Sequence, residues 1–147
     1  MDITATLDAQ CTADELYAWV GSLDTYDRWL EIVPRTEHAP EAPGDPGPAW
    51  FVTLRGKIGP LARSKRLRMV RTEEDAPNRV RFERCETDGR EHAAWVLTAT
   101  VTEDGPTATL TMDLHYGGSL WVPLLDRLLT SEIEASRSRL RSLVAPG

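Results

Sequence analysis

The residues best suited to polar chemistry in this sequence are Arg84 and Glu86. Both follow Val80 and Phe82 in a segment where apolar and polar residues alternate. Side chains two residues apart in a strand lie on the same face, so the guanidinium and the carboxylate share the apolar face. If that face is buried, Arg84 beside Glu86 could bind a carboxylate, phenolate or enolate and stabilise its charge. A bulge would exchange the two faces and place both charges outside.

A second concentration of charge lies on segment 61–73, which mixes apolar residues with five bases. These bases are Arg63, Lys65, Arg66, Arg68 and Arg71. If Leu67 faces inward, alternation brings Lys65 and Arg63 to the same side. The alternative is a solvated sheet face on which the bases pair across strands with acidic residues. The expected acidic partners are Glu83, Glu86 and Glu91.

No residue pattern in the sequence specifies covalent or metal-dependent catalysis. The histidines, His38, His92 and His115, are far apart, and we expect them at the surface or at a cavity rim. Serine-elbow, phosphate-loop, dinucleotide and zinc-protease motifs do not occur. Cys11 and Cys85 lack neighbouring ligand pairs, so neither a disulfide nor a metal site is expected, and no cofactor is predicted.

Aromatic and other large apolar side chains are the candidate wall of a binding pocket. The five tryptophans can fill a core or line a cavity. Trp50 and Trp95 fall on strand faces that we expect to point inward, where an indole N–H could serve a ligand. Met69 and Met112 would line the same space and adapt to bulky ligands. The predicted ligand-binding residues are Tyr26, Trp29, Trp50, Leu67, Met69, Phe82, Arg84, Trp95, Leu97, Met112, Leu128 and Ser136.

The element expected to cover these residues is a long amphipathic helix over 119–144. Its apolar residues recur mostly at steps of three, four or seven, which is typical of one helix face. Pro123 is tolerated only in a first turn, so the helix should begin near residues 119–122. Ala135 and Ser136 are small where the pattern calls for bulk. This favours either close contact with a sheet or space for a ligand beneath the helix.

The segments before this helix alternate as strands do. Residues 2–9 read as a first strand, Thr12 and Glu15 form a capping box that opens a helix, and 22–32 reads as a second short helix. Strand segments follow at 33–39, 49–58, 61–73, 79–86, 91–102 and 107–116, with a hairpin turn at 87–89. The proline-rich segment 40–48 is a loop, either a surface connection or a flap over a cavity. Apolar and polar faces along the strands predict an α+β fold with an antiparallel sheet covered on one side.

Composition limits the class of protein further. A chain of 147 residues fits one domain, 1–147, with a sizeable core. The net charge of -6 argues against general nucleic-acid binding. No apolar run reaches the ~20 residues of a membrane span. The first residues lack a basic start followed by an apolar stretch, so no signal peptide is predicted and a cytoplasmic location is expected.

Two short motifs and the order of elements resemble a known superfamily. Tyr26-Asp27-Arg28-Trp29-Leu30, followed by Pro34, is similar to the segment after the paired short helices, and Tyr116-Gly117-Gly118 is similar to the last strand-to-helix junction. The chain thus resembles the helix-grip superfamily (START-like and birch-pollen-allergen-like), including its polyketide cyclase/dehydrase and lipid-transport group. The resemblance implies a curved antiparallel sheet of six to seven strands wrapped round a long C-terminal helix, with two short helices after strand 1. It also implies a cavity between sheet and helix.

This resemblance leaves three functions open. The first is a carrier or binding protein that holds an apolar or aromatic small molecule, such as a lipid or polyketide, in the cavity. The second is a cyclase/aromatase- or dehydratase-like enzyme in which Arg84, Glu86 or Tyr26 moves or stabilises charge. The third is a stress-related factor that binds protein partners. The chain is expected to be a monomer or a homodimer.

Overall fold

A seven-stranded antiparallel sheet is the main element of the protein. The computed structural model describes residues 1–58, 60–127 and 133–144. Within these ranges the strands lie in the order β1-β7-β6-β5-β4-β3-β2. Their bounds are β1 Asp2–Ala9, β2 Arg35–Ala39, β3 Ala49–Ile58, β4 Leu61–Asp75, β5 Arg79–Arg84, β6 Trp95–Asp104 and β7 Thr107–Tyr116. The predicted α+β class and antiparallel sheet are confirmed, with the strand count at the upper predicted value.

Two short helical elements follow β1, as predicted. Helix α1, Ala13–Tyr17, is capped by Thr12, whose hydroxyl accepts the Glu15 N–H at 3.1 Å. The predicted second helix over 22–32 is shorter than expected, because only Leu23–Arg28 is helical and it is a 3-10 helix. The chain leaves helical geometry at Trp29, whose φ is -133° and whose indole N–H donates to the Trp19 carbonyl at 3.2 Å.

The side chains of alternate residues divide the sheet into a buried inner face and a more polar outer face. On β6, Trp95, Ala99 and Val101 are buried, and on β7 the buried residues include Leu110 and Tyr116. The buried residues of the two strands are neighbours across the sheet, because Trp95 pairs with Tyr116 and Val101 pairs with Leu110. The predicted inward faces of both strands are therefore correct.

The C-terminal region packs on the inner face through two helices. Helix α2, Val122–Arg127, lies against β3, where a Cβ at Gly56 would come within 2.5 Å of a Leu124 methyl group. A larger residue at this position would therefore force the Leu124 side chain to shift. Helix α3, Ile133–Val144, runs beside β1, and Arg137 Nη1 donates to the Thr6 carbonyl at 3.2 Å. The helix was predicted to start near residues 119–122, and α2 begins at Val122. The predicted continuity through 128–132 lies outside the described residues.

The proline-rich segment 40–48 packs on the outer face of the sheet. Arg68, next to the inward Leu67, points to that face and is 2% exposed. Its Nη2 lies 2.6 Å from Asp45 Oδ2 and donates to the Pro40 carbonyl at 2.9 Å. Because Arg68 is the side chain that holds it there, segment 40–48 is a surface connection rather than a flap over the inner face.

Two expectations about this half of the sheet are wrong. The tight hairpin expected at 87–89 is instead a longer loop, since β5 ends at Arg84 and β6 begins at Trp95. Polar contacts within the loop replace the strand ladder: Asp88 Oδ1 accepts the Arg90 N–H at 3.0 Å and lies 3.0 Å from His92 Nε2. The acidic partners expected for the bases of segment 61–73 also differ. The ion pairs found there are Arg66–Glu37, Arg68–Asp45 and Arg71–Glu74.

Candidate ligand cavity

A cavity of about 150 Å³ lies between the inner face of the sheet, the segment 23–33 and helix α3. Eight residues of strands β1, β6 and β7 on its wall alternate along their strands, so one face of each strand points to the cavity. These residues are Ile3, Ala5, Leu7, Trp95, Leu97, Leu110, Met112 and Leu114. Helix α3 adds Ile133, Ser136, Arg137 and Leu140. The cavity is therefore formed by elements at both ends of the chain.

Eight of the residues predicted from the sequence lie on this wall. They are Tyr26, Trp29, Leu67, Met69, Trp95, Leu97, Met112 and Ser136. Ser136 is 5% exposed and occupies the helix position where a small residue leaves room beneath α3. The structure thus brings together residues that are more than a hundred positions apart in the sequence. Their contact with a ligand stays a prediction.

The polar groups of two aromatic wall residues already have partners inside the protein. The Tyr26 hydroxyl donates to the Val20 carbonyl at 2.8 Å, and burial raises the pKa of Tyr26 well above its usual range. The Trp29 indole N–H donates to Trp19. The Tyr26 ring also packs against the Trp29 ring in a tilted arrangement, with ring centroids 4.9 Å apart. These two side chains therefore present mainly their ring surfaces to the cavity.

Three polar atoms of wall residues are buried without a hydrogen-bond partner among the residues that the structure describes. They are Trp95 Nε1, Ser136 Oγ and Arg137 Nε. Each carries a proton that it can donate. Leaving a buried donor without an acceptor costs about 1–3 kcal/mol. These three atoms have almost no accessible surface, so the surface that the wall offers to the cavity is almost entirely apolar.

Trp50 and Phe82 were predicted on the wall, but they lie in the core beside it. The Trp50 indole N–H donates to Asp24 Oδ1 at 2.8 Å. Phe82 is fully buried and meets the rings of Trp50 and Tyr26 edge to face, at 5.7 and 6.1 Å. Phe82 therefore packs behind Tyr26, and Trp50 packs on Phe82. The predicted Leu128 lies outside the described residues.

Asp24, which holds Trp50, is a polar anchor at the end of this aromatic group. Its Oδ1 also lies 2.9 Å from His38 Nε2. Burial acts to raise the pKa of Asp24, but hydrogen bonds from Trp50 and Ser22 outweigh it and hold the pKa below its usual value. The carboxylate is thus charged at neutral pH and keeps the Trp50 indole turned towards it.

Arg84 lies on the inner face, as the alternation predicted, but it does not line the cavity. It pairs in register with Met69, and its side chain is 6% exposed. Its Nε lies 2.7 Å from Glu86 Oε2, and its Nη1 donates to the Ala93 carbonyl at 3.2 Å. Glu86 and Ala93 both lie in the loop 85–94, so this loop occupies the hydrogen-bond donors of the guanidinium.

Two bases whose orientation the sequence left open can now be placed. Lys65 pairs in register with Leu54, and Arg63 pairs with Gly56. Both therefore belong to the inner face, near α2, where Lys65 is half-buried and Arg63 is exposed. Neither lines the cavity. The expected face is confirmed, and the charges lie outside the apolar wall.

Several wall residues were missed by the sequence reasoning. Ile3, Ala5 and Leu7 alternate within a predicted strand, so their shared face could have been named. Their position beside α3 depends on the pairing of β1 with β7, which sequence spacing does not give. Arg137 had a weaker signal, since it is adjacent to Ser136 on the predicted helix. Among the lining residues Thr6 is exposed and Arg137 is half-buried, and a hydrogen bond from Arg137 Nη1 to the Thr6 carbonyl joins them.

Comparison with known protein families agrees with this architecture. The sequence profile of the family described as polyketide cyclase / dehydrase and lipid transport matches residues 1–145. The chain therefore belongs to that family. No curated protein matches the sequence. Among the described residues, no helix is long and apolar enough to cross a membrane.

Solved structures share the fold at low sequence identity. A protein from Thermus thermophilus is 18% identical with a TM-score of 0.71, and 98% of this chain covers 97% of that one. A START superfamily protein from Mycobacterium smegmatis is 16% identical with a TM-score of 0.69, covering 97% and 96% of the two chains. The di-domain ARO/CYC protein BexL is 14% identical with a TM-score of 0.65, and all of this chain covers 50% of it. These likenesses show the helix-grip fold.

Proposed function

We propose that the protein binds an apolar or aromatic small molecule, such as a lipid or polyketide, in the cavity beneath α3 and acts as its carrier. The observation that supports this most directly is the wall itself, whose side chains are nearly all apolar. Tyr26, Trp29 and Trp95 add flat ring surfaces to it. Membership of a family described by lipid transport and polyketide chemistry agrees with such a ligand.

The size of the cavity indicates what can enter without rearrangement. Its volume of about 150 Å³ is several times the ~30 Å³ that one water occupies in the liquid. Apolar cavities of that size in proteins stay dry and bind single aromatic rings. One or two rings, or a short alkyl chain, therefore fit the present shape.

A cyclase-like or dehydratase-like enzyme in the same cavity is the alternative function. Proton transfer needs a group whose pKa lies near the working pH. Among the described wall residues there is no histidine and no carboxylate, and the Tyr26 hydroxyl is already bonded to Val20. Arg84 is held by Glu86 away from the wall. The described geometry thus supports binding more strongly than catalysis.

We also propose that the protein works in the cytoplasm. Cys11 and Cys85 are both free thiols, as suits a reducing compartment.

A matched pair of substitutions on β6 tests the carrier function. Leu97 lines the cavity, whereas its neighbour Val96 belongs to the opposite face. Leu97→Trp should fill the space and weaken binding of the bicyclic hydrocarbon indane at least about tenfold, while Val96→Trp should leave it unchanged. Dissociation constants from NMR titration give the comparison. Equal affinity in both variants would contradict binding in this cavity.

A further inference from the structure

Strands β3 and β4 extend beyond the rest of the sheet as a two-stranded arm. β2 pairs with β3 only as far as Thr53, and β5 pairs with β4 only from Met69. Within the described part of the sheet, residues 54–58 and 61–65 therefore pair only with each other, and we term them the arm. Five residues of strand span about 16 Å. Helix α2 packs on the inner face of the arm at Gly56, which leaves its outer face and its end uncovered by any described element.

The arm carries positive charge and no negative charge. Four of the 17 lysines and arginines of the chain lie on it, and none of the 23 acidic residues does. These bases are Arg55, Lys57, Arg63 and Lys65. Lys65 is half-buried and the other three are exposed. None of the four forms an ion pair with a residue that the structure describes. The arm is thus a cationic projection on a protein whose net charge is -6.

The end of the arm is apolar and open to solvent. Leu61 is 54% exposed, and its neighbours Pro60 and Ala62 are exposed as well. Transfer of a leucine side chain from water into an apolar medium is favourable. A partner that offers both negative charge and an apolar interior would therefore match the arm and its end.

The bases lie on both faces of the arm, which limits the shape of such a partner. Arg55 and Lys57 alternate with the cavity residue Leu54, so they lie on the outer face. Arg63 and Lys65 lie on the inner face. A protein surface or a nucleic-acid backbone that covered one face would meet only half of these charges. The headgroup layer of a bilayer surrounds a segment that enters it, so lipid phosphates can meet both faces while an apolar end reaches the acyl chains.

We propose that the arm docks the protein on a membrane that contains anionic phospholipids. Leu61 enters the interface, and the bases on both faces contact lipid phosphates. Leu54 and Leu67, at the base of the arm, line the cavity, so docking brings the cavity close to the bilayer. An apolar ligand could then pass between them without crossing much water. The docking itself needs no ligand, so it goes beyond the proposed carrier function and does not depend on it.

Vesicle flotation with the full chain tests the docking. One set of vesicles is phosphatidylcholine alone, and the other contains phosphatidylcholine and phosphatidylglycerol in equal parts. We expect binding to the anionic vesicles to be at least about tenfold tighter than to the neutral ones. Added salt should weaken that binding, because salt screens exposed charges.

Substitutions on each face locate the contact. Lys57→Gln on the outer face and Arg63→Gln on the inner face should each lower affinity for the anionic vesicles about fivefold, as the loss of one base near a charged surface predicts. The control is Arg79→Gln, an exposed base that pairs in register with Asp75 at the opposite end of β4. It should leave affinity within about twofold of wild type.

A second pair of variants tests entry of the apolar end. Leu61→Gln should lower affinity for the anionic vesicles about tenfold, since the apolar side chain would no longer gain from burial. Leu143→Gln, at another exposed leucine on helix α3, should stay within about twofold. The two substitutions make the same chemical change in elements at opposite sides of the sheet.

Three results would overturn the proposal. The first is equal binding to both kinds of vesicle, or binding to neither, which would favour an acidic protein as the partner of the arm. The second is a loss confined to the bases of one face, and the third is full affinity in Leu61→Gln. Binding of indane in the cavity is measured without vesicles, so the carrier function can fail while the docking stands, and the reverse.

Discussion

Arg84 Nε and Glu86 Oε2 are 2.7 Å apart on the inner face of the sheet, outside the cavity wall. Glu86 also accepts the backbone N–H of Arg68 at 3.2 Å, so the pair joins the end of β5 to β4. The Arg84 guanidinium reaches on to the Ala93 carbonyl. The inward guanidinium of Arg84 is therefore bonded to groups of the protein itself, namely Glu86 and the Ala93 carbonyl.

Arg84→Ala is therefore expected to lower stability and to spare ligand binding. Removing one member of a buried ion pair leaves the other charge uncompensated, which we expect to cost about 3 kcal/mol of unfolding free energy. Urea denaturation measures that loss, and NMR titration with indane measures binding by the folded fraction. Arg79→Ala, which removes an exposed pair with Glu73, should cost under about 1 kcal/mol. A large loss of indane affinity in Arg84→Ala would place the guanidinium in the site.

Asp45 should make stability depend on pH. Its hydrogen bonds with Arg68 and the Ala42 N–H hold its pKa below the usual value. A carboxyl whose folded-state pKa is depressed stabilises the fold above its unfolded pKa of ~3.9, and this contribution is lost as the pH falls through the folded pKa. Asp45→Asn should be less stable than wild type at neutral pH.

The difference between Asp45→Asn and wild type should shrink as the pH falls below about 4, where Asp45 of the unfolded chain takes up a proton, and should be smallest below the depressed folded-state pKa, where both side chains are uncharged. Chemical denaturation at a series of pH values gives the two curves. Asp27→Asn, at an exposed position, is the control and should change stability by no more than about 0.5 kcal/mol. Parallel curves for Asp45→Asn and wild type would refute the assigned role of the buried pair.

Ser136 should control access to the space beneath α3. Ser136→Ile adds bulk at a buried wall position, and we expect it to reduce indane affinity at least about tenfold through steric exclusion. Ser138→Ile places the same side chain on the exposed side of the helix and should leave affinity within about twofold. Titration of both variants provides the test. Similar affinities in the two would show that the small residue has another purpose.

Gly56 should be required for the packing of α2 on β3. Gly56→Ala would bring a methyl group against Leu124, and overpacking of this kind costs about 1–3 kcal/mol. Combining it with Leu124→Ala should recover part of that loss, which a double-mutant cycle in urea detects. Strictly additive effects would mean that the two residues do not meet.

Periodicity predicted much of the candidate site. Alternation on β6 and β7 identified the inward positions of Trp95, Leu97 and Met112. Ser136, where the pattern favoured either close contact with a sheet or space beneath the helix, lies on the cavity wall. Local patterns suffice to predict these positions, because each strand or helix buries one of its faces and the spacing of apolar residues indicates which one.

The remaining features depend on contacts between distant segments, which spacing does not encode. Trp50 is turned from the cavity by Asp24, a residue 26 positions away. Arg68 is buried on the outer face only because segment 40–48 brings Asp45 to it. The hairpin turn expected at 87–89 is instead a longer loop held by its own polar side chains. Neither the secondary-structure propensity of single residues nor the alternation along a strand predicts which distant residues pair.

The most direct test of the proposed function determines the position of a small apolar molecule bound to the protein. Intermolecular nuclear Overhauser effects between indane and the methyl groups of the protein report this position. We expect them at Leu97, Met112 and Leu140, which line the cavity, and none at Val96, on the opposite face of β6. Saturable binding with contacts confined to the outer face, or no binding up to the solubility limit of indane, would contradict the claim that the protein holds its ligand between sheet and helix.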